Sequence, residues 1–164
     1  MANPGQPTIS LGATGEAVRR LQRALRRTPD LGIPVNGVFD ATLEKAVKDF
    51  QSGDGLTVDG IVGPLTWAAL PDGGPMPVLE EGSSGDCVRS LQTVLTNGAP
   101  GDWNTTPQGI DGEFGPLTKA SVQAFQSWGG VTPDGIVGDQ TWAVSLHALS
   151  ATLESKVGLN FVIN

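Results

Sequence analysis

Residues 58–67 read VDGIVGPLTW, and residues 110–119 read IDGEFGPLTK. Two further stretches carry the same pattern of Asp or Asn followed by Gly, namely VNGVFDATLE at 35–44 and PDGIVGDQTW at 133–142. Within each half of the chain the two copies start 23 positions apart, and the halves are offset by 75 positions. Self-similarity at fixed spacing predicts a repeat, here two units that each contain the motif twice.

The repeat extends over most of the chain. Downstream of the first motif the matching residues recur at an offset of 75, as in Phe50/Phe125, Gln51/Gln126, Gly63/Gly138, Thr66/Thr141 and Trp67/Trp142. Upstream the offset is 70, as in Val18/Val88, Leu21/Leu91, Gln22/Gln92 and Leu25/Leu95. The difference of five positions indicates an insertion in the second unit, within TNGAPGDWNTTPQG at 96–109.

These offsets predict two small domains rather than one. We expect the first repeat at 8–71, a linker at 72–78, the second repeat at 79–147 and a C-terminal tail at 148–164. Prolines make the linker stiffer than a Gly/Ser tether. The tail has no counterpart in the first unit, and its end, from Val157 to Asn164, alternates as in a strand and is expected either to pack on a neighbour or to lie disordered.

The fold class follows from apolar residues at helical spacing. Each unit is predicted to contain three short helices, so the protein is expected to be all-α. Thr14 and Ser84 are the expected N-caps of the first helix in each unit. The predicted apolar positions of the three helices are Val18, Leu21, Leu25, Leu43, Ala46, Val47, Phe50, Leu65, Trp67, Ala68 and Leu70, with Val88, Leu91, Val94, Leu95, Leu117, Ala120, Ala124, Phe125, Trp142, Val144 and Leu146 in the second unit.

The repeated motif itself is predicted to be a turn followed by a helix start. Glycine adopts backbone angles that other residues avoid, and proline is favoured at the first position of a helix. The apolar residues after the turn, Ile61 and Val62 or Phe114 alone, are expected to enter the core. Where the proline is absent, Asp40 and Asp139 are expected at the helix start, as caps or as charges favoured by the helix dipole.

Charge and composition exclude several functions. The net charge is −7, with seven Lys/Arg against eight Asp/Glu up to Gly74 and three against nine after it, so nucleic acid is not expected as a partner. One basic helix face is the local exception, and we expect it to be either solvated or in contact with an anionic ligand. Its residues are Arg19, Arg20, Arg23, Arg26 and Arg27.

The sequence predicts no metal, cofactor or disulfide. Cys87 is the single cysteine and His147 the single histidine, so neither a disulfide nor a histidine-based zinc site can form within the chain. No apolar run is long enough to span a bilayer, so we expect no membrane partner. The first ten residues, MANPGQPTIS, lack the basic and apolar regions of a signal peptide.

The order of motifs resembles a known family. GEAVRRLQRAL, NGVFDATLEKAVKDFQ and LTVDGIVGPLTWAAL, repeated as GDCVRSLQTVL, IDGEFGPLTKASVQAFQ and VTPDGIVGDQTWAVSL, resemble the peptidoglycan-binding domain attached to bacterial and phage cell-wall hydrolases. The resemblance covers nearly all of residues 9–146. It implies a three-helix fold with a shallow groove for cell-wall glycan or stem peptide, a location at the cell wall outside the cell, and no catalysis. The first unit departs from the pattern at Asn36 and Asp40.

Tryptophans are the first class of candidate ligand-binding residues. Trp67 and Trp142 occupy the same repeat position, which favours a core role. Trp103 lies in the insertion and Trp128 replaces Gly53, so the shared fold requires neither, and either could stack on a sugar or pack on its own domain. If they bind ligand, the second unit should dominate binding.

Glutamines and aspartates of the repeat form the second class. Gln22, Gln51, Gln92 and Gln126 could pair with amide and acetamido groups of a ligand, or could tie a neighbouring turn. Asp59, Asp111 and Asp134 could meet an ammonium group, or could satisfy the turn backbone. Phe114, in the best-preserved turn, is also a candidate ligand contact.

Three functions compete on this basis. The first is a non-catalytic module that binds peptidoglycan, and the second is a structural or adaptor protein that binds a protein partner in a larger assembly. A hydrolase is disfavoured because almost every acidic residue is accounted for by a turn, a helix start or the Glu80–Glu81 pair. A wall-lytic catalytic domain or protein partner is compatible with the first function.

Overall fold

The structure is a computed structural model, and it describes residues 3–28, 33–98, 103, 105–146 and 152–163. The chain divides into two compact units, unit 1 (Met1–Pro75) and unit 2 (Met76–Ile163). The described residues form helices joined by turns and isolated β-bridges, without a strand. The predicted all-α fold with two tandem domains is therefore confirmed.

Where the structure describes it, unit 1 contains three helices around one core. They are α1 (Glu16–Arg26), α2 (Ala41–Gly53) and α3 (Pro64–Ala69). Pro64 occupies the first helical position of α3, and the Asp40 side chain caps α2 by accepting a hydrogen bond of 2.9 Å from the Leu43 NH. The predicted helix starts at the repeated motif are confirmed.

Unit 2 repeats this arrangement with α4 (Asp86–Gly98), α5 (Pro116–Gly129) and α6 (Asp139–Trp142). The match extends to single hydrogen bonds: the Trp67 indole NH donates to the Pro7 carbonyl at 2.9 Å, and the Trp142 indole NH donates to the Pro77 carbonyl at 3.0 Å. Both indoles are buried. The predicted core role of these two tryptophans is confirmed.

Several details of the helix starts differ from the expectations. Thr14 is not the cap of α1, since Gly15 holds that position and Thr14 pairs with Val38 across a β-bridge. Ser84 likewise pairs with Glu113, ahead of α4. Thr14 and Ser84 instead form a β-bridge with a residue of the neighbouring turn. N-cap propensity is a local property and does not predict such a bridge.

Five apolar residues predicted to be in the core are exposed, namely Ile61, Leu65, Ala68, Leu117 and Ala120. Ile61 is 44% exposed because Val62 pairs with Ile9 in an extended bridge, and neighbouring side chains of extended backbone point to opposite sides. Leu65 is 77% exposed and Leu117 is 52% exposed. Both follow the first proline of a helix, where the next residue, a threonine, is the one that faces the core.

Most of the basic face of α1 is covered within unit 1, and Arg19, whose side chain is 43% exposed, is the exception. Arg27 donates to the carbonyls of Asp72 and Gly74 at 2.8 and 2.7 Å, and Arg20 contacts the Asp72 carboxylate at 3.4 Å. Arg23 is buried. The first residues of the predicted linker therefore belong to unit 1 and cover this face.

The tail beyond residue 148 is part of unit 2 where the structure describes it. It forms α7 (Leu153–Val157) and a 3₁₀ helix (Leu159–Phe161), so the strand-like expectation is wrong there. Leu153 and Val157 are buried in the unit 2 core, one helical turn apart, and the Ser90 hydroxyl of α4 donates to the Val157 carbonyl at 2.7 Å. His147 lies outside the described residues.

Candidate functional site

Each repeated turn is held by a buried glutamine. In unit 2, Gln126 near the end of α5 accepts a hydrogen bond of 2.9 Å from the Gly135 NH. Its amide nitrogen lies within 3.0 Å of the Asp134 carboxylate and the Thr141 hydroxyl and 2.9 Å from the Ile136 carbonyl. One side chain therefore links the end of α5, the turn and the start of α6.

The same arrangement occurs at the other three turns. Gln51 and Gln92 bind their turns through an aspartate, a backbone carbonyl and a threonine in the same way. Gln22 binds Asn36 and the Val38 carbonyl, but Leu43 stands where the other turns have threonine. All four glutamines are buried. The structure therefore places them as turn supports, and their amides face the turn and not a ligand.

The turn glycines require a backbone conformation that side chains disfavour. The φ angles of Gly37, Gly60, Gly112 and Gly135 lie between 74° and 78°. This is the left-handed region, where a residue with a Cβ is strained. The turn predicted from the Asp-Gly and Asn-Gly pairs is therefore present four times.

The turn aspartates are exposed, but one carboxylate oxygen of each is engaged. Asp59, Asp111 and Asp134 accept a hydrogen bond of 2.9 Å from the backbone NH two residues later. These backbone hydrogen bonds, followed by those from the glutamines, lower the pKa of all three carboxyl groups below the ordinary aspartate value. Each of these side chains is therefore an exposed carboxylate that is held by its own turn.

A surface groove of about 460 Å³ lies beside the Asp134 turn of unit 2. It runs between the chain after α5 and the start of α6. Its lining residues are Gly130, Val131, Thr132, Asp134, Ile136, Gly138, Asp139, Gln140 and Thr141. The lining combines the apolar side chains of Val131 and Ile136 with the hydroxyl, carboxylate and amide groups of Thr132, Asp134 and Gln140.

Unit 1 has a groove of about 240 Å³ at the same place. Its lining residues are Gln51, Leu56, Thr57, Asp59, Ile61, Gly63, Pro64, Leu65 and Thr66. Eight of these correspond to unit 2 lining residues at the repeat offset of 75. A third, smaller groove of about 160 Å³ lies beside the Gln22 turn.

Only some of the residues that line these grooves are predicted from the sequence to contact a ligand. Asp59 and Asp134 line them, and Gln51 lies at the base of one. Thr57, Thr132, Ile61 and Ile136 were not predicted to face a ligand. Their recurrence at the same repeat offset, outside the apolar helical stripe, was the available signal.

Three aromatic residues expected as ligand contacts pack against the unit 2 core instead. Trp103 is 6% exposed, and its indole NH donates to the Leu95 carbonyl at 2.9 Å. Its ring stands edge-on to Phe125 at 4.9 Å and to Trp128 at 5.2 Å. Trp128 is half-buried against the same core, and Phe114 is 2% exposed within it. Trp103 of the insertion is therefore a core residue of unit 2. It packs against Trp128, which occupies the repeat position that Gly53 has in unit 1.

Asp111 and Gln92 hold the first turn of unit 2, and neither lines the two larger grooves. Among the described residues, no three His, Cys, Asp or Glu side chains cluster as a metal site would require. Half-burial raises the pKa of the Cys87 thiol to about 11. None of the described helices is both long and apolar enough to cross a membrane.

Comparison with known proteins matches the repeat. A model of the peptidoglycan binding domain matches residues 14–70 and again residues 84–144. The chain is 44% identical over 85 residues to a zinc D-Ala-D-Ala carboxypeptidase of Streptomyces albus G, covering 52% of this chain and 29% of that enzyme. It is 32% identical over 161 residues to an N-acetylmuramoyl-L-alanine amidase of Bacillus licheniformis, covering 82% of this chain and 44% of that enzyme.

A solved structure, the N-terminal domain of SleB, is 36% identical and covers 39% of this chain and 88% of its own, with a TM-score of 0.37. The chain spans less than half the length of the two enzymes. The similarity to them is therefore a similarity to a minor part of each.

Proposed function

The chain belongs to the peptidoglycan-binding domain family, and from this membership we propose that it binds bacterial cell-wall peptidoglycan without cleaving it. Family membership supports association with the cell wall. The proposed location is outside the cell, on the wall, where a wall-lytic domain or protein partner would act beside it.

The observation that carries the proposal is the recurrence of one groove in both units. Eight lining positions are equivalent, and Thr57/Thr132, Asp59/Asp134 and Ile61/Ile136 are identical pairs. A fold needs its core and its turns, but it does not need the same exposed isoleucine and threonine beside each turn. A polymer that repeats its own chemistry is a suitable ligand for two equivalent grooves.

The chemistry of the grooves favours binding over cleavage. Glycoside hydrolysis needs one carboxyl group that stays protonated to act as the acid, and a second that acts as base or nucleophile. The unit 1 groove has one carboxylate, Asp59, and its pKa is lowered by backbone hydrogen bonds. The unit 2 groove is lined by Asp134 and Asp139, and the pKa of Asp134 is lowered in the same way, so neither Asp59 nor Asp134 is suited to donate a proton.

The test is co-sedimentation of the full chain with purified insoluble peptidoglycan, with the supernatant analysed for muropeptides and reducing sugar. We expect the protein in the pellet and no released product. Protein that stays in the supernatant would overturn wall binding and favour the adaptor function. Steady product release by the pure protein would overturn the non-catalytic role.

Groove variants locate the binding surface. Ile61 and Ile136 are 44% and 40% exposed, so truncation to Ala should leave the cores intact. Each truncation removes apolar contact worth roughly a fivefold change in affinity. We expect Ile136→Ala and Ile61→Ala each to weaken binding, because the two isoleucines line equivalent grooves.

The matched control is Ile110→Ala, since Ile110 is 45% exposed and lines neither groove. It should sediment like the unaltered protein. If Ile110→Ala and Ile136→Ala weaken binding equally, the groove is not the binding surface.

A further inference from the structure

The two larger grooves contain no aromatic ring. The chain has four tryptophans, five phenylalanines and no tyrosine, and the structure describes all of these aromatic residues. Each of them is buried or half-buried, and none is among the residues that line the unit 1 or the unit 2 groove. A sugar ring is commonly bound by stacking on an exposed aromatic face. The grooves therefore lack a common means of holding a glycan.

Polar groups that line each groove have no partner within the protein. Among the described residues, Thr57 makes no hydrogen bond through its NH, its carbonyl or its hydroxyl. Thr132, the equivalent residue of unit 2, makes none through its NH or its hydroxyl. Both threonines are exposed, and both line their groove. Each groove thus offers a main-chain donor and a hydroxyl to a ligand.

The main chain before each threonine is held in the same way in both units. The Leu56 NH donates to the Gln51 carbonyl of α2 at 2.8 Å, and the Val131 NH donates to the Gln126 carbonyl of α5 at 3.0 Å. Each hydrogen bond lies one residue before the threonine and ties the chain to the end of a helix. The unpaired groups therefore occupy equivalent, anchored positions.

Aliphatic side chains line the grooves beside these polar groups. Ile61 and Ile136 are 44% and 40% exposed, and Leu56 and Val131 are half-buried. An extended peptide suits such a surface, because its main chain offers donors and acceptors for hydrogen bonds while its side chains contact apolar pockets. The combination of aliphatic groups and unpaired main-chain groups therefore favours a peptide ligand.

We propose that both grooves bind the stem peptides of peptidoglycan and not its glycan strands. Thr57 and Thr132 pair with the main chain of the peptide through their NH and hydroxyl groups, and Ile61 and Ile136 contact its small aliphatic side chains. This inference rests on the proposed function and names the part of the polymer that is recognised. Two equivalent grooves suit a ligand that recurs along each strand, since linked sites raise the apparent affinity.

The experiment uses the full chain and the two components of the same polymer. An amidase separates peptidoglycan into soluble stem peptides and peptide-free glycan strands, and each is added in increasing amount to protein bound to insoluble peptidoglycan. We expect stem peptides to release the protein into the supernatant, and glycan strands to leave it in the pellet. Chitin, an insoluble polymer of N-acetylglucosamine without peptides, should not sediment the protein.

NMR locates the contact on the main chain. In amide correlation spectra of the isotope-labelled full chain, stem peptides should shift the signals of Thr57 and Thr132, because their NH groups gain an acceptor. The NH of Gly112 already donates to Gln92 at 2.9 Å, and its signal should stay unchanged. Glycan strands at the same concentration should shift neither threonine signal.

Threonine variants test the hydroxyl groups. Thr57→Val with Thr132→Val removes both hydroxyls at nearly constant shape, and it should weaken stem-peptide binding by each groove roughly two- to tenfold, the size of one lost hydrogen bond. Thr93→Val is the matched control, because Thr93 lies on α4 outside both grooves and its hydroxyl donates to the Arg89 carbonyl at 2.9 Å. It should bind like the unaltered protein, and melting curves check that all variants are folded.

The outcomes separate this inference from the function on which it rests. If the unaltered protein does not sediment with peptidoglycan, the proposed function and this inference both fail. If it sediments but is released by glycan strands and not by stem peptides, or if it sediments with chitin, only the peptide assignment is overturned. The same holds if stem peptides shift neither threonine signal, or if the double valine variant binds them as well as Thr93→Val does.

Discussion

The side-chain oxygen of Gln126 accepts a hydrogen bond of 2.9 Å from the backbone NH of Gly135, nine positions further along the chain. The contact connects the end of a helix to the one turn residue that has a left-handed backbone. Because the groove of unit 2 begins at this turn, a core hydrogen bond positions the residues that face the ligand.

Loss of this glutamine should destabilise unit 2. Gln126→Leu places an apolar side chain of similar size in the core, leaves the Gly135 NH without its partner and removes the hydrogen bond of 2.9 Å to the Ile136 carbonyl. Unsatisfied buried polar groups cost about 1 to 3 kcal/mol each, so we expect a loss of roughly 2 to 4 kcal/mol in urea unfolding. The control is Gln123→Leu on the same helix, where the amide makes one long, exposed contact of 3.4 Å. Equal stability of the two variants would contradict the supporting role.

Valine at the turn glycines tests the left-handed backbone directly. Gly60→Val and Gly135→Val should each destabilise their unit by roughly 1 to 3 kcal/mol, because a β-branched residue resists positive φ angles. The control is Gly138→Ala, where φ is −109° and an added Cβ would meet no atom within 4 Å. Thermal melting that is unchanged in both valine variants would show that the turns are not constrained.

Acid should destabilise the turns. The pKa of Asp59, Asp111 and Asp134 is lower in the folded protein than in the unfolded chain, so the folded state binds fewer protons. Their contribution is complete well above the ordinary aspartate value of about 3.9 and is lost as the pH falls through and below it.

The triple variant Asp59→Asn, Asp111→Asn and Asp134→Asn should therefore lose stability less steeply between about pH 5 and pH 2. Asparagine is tolerated there, since Asn36 accepts the equivalent backbone hydrogen bond in the first turn. Asp49→Asn, on the exposed face of α2, is the control. A triple variant with the slope of the unaltered protein would refute the linkage.

Trp103 should matter for stability and not for ligand contact. Trp103→Ala removes a buried ring from the unit 2 core and should cost about 3 to 5 kcal/mol, as large-to-small core substitutions do. Measured at a temperature where the variant remains folded, its binding to peptidoglycan should match that of the unaltered protein. Weaker binding by a fully folded variant would show that Trp103 contributes to ligand binding.

The tail helix should behave as a part of the unit 2 core. Leu153→Ala should lower the free energy of unfolding by about 2 to 5 kcal/mol, because Leu153 is completely buried. Leu159→Ala removes a side chain that is 40% exposed and should cost far less. Indistinguishable chemical unfolding of the two variants would show that α7 is dispensable.

The repeat made much of the architecture predictable from sequence. Glycine at the four turns, proline at the starts of α3 and α5, and apolar residues at helical spacing act locally, through backbone angles and through the period of the helix. These signals can be interpreted without knowing the contacts between residues that are distant in sequence. The two tryptophans that recur at one repeat position were assigned to the core for the same reason, since both units have to fill the same space.

Burial at particular positions was decided by tertiary contacts. Trp103, from an insertion, enters the core because Phe125 and Trp128 provide an aromatic surface there. Arg20 and Arg27 are covered because Asp72 and Gly74 fold back onto them. Neither contact follows the sequence repeat or the helical period. The sequence therefore suggested a tryptophan in a loop and a solvated basic face.

The same division applies to the candidate site. Sequence by itself determined that a glutamine recurs beside each of four turns and an aspartate in three of them, and it left open whether they face a ligand or the backbone. Only the tertiary structure decided that the glutamines point inward, leaving Thr132, Ile136 and Asp139 to line the groove. The physical reason is that a buried amide must satisfy its hydrogen bonds within the protein, and the turn is the partner within reach.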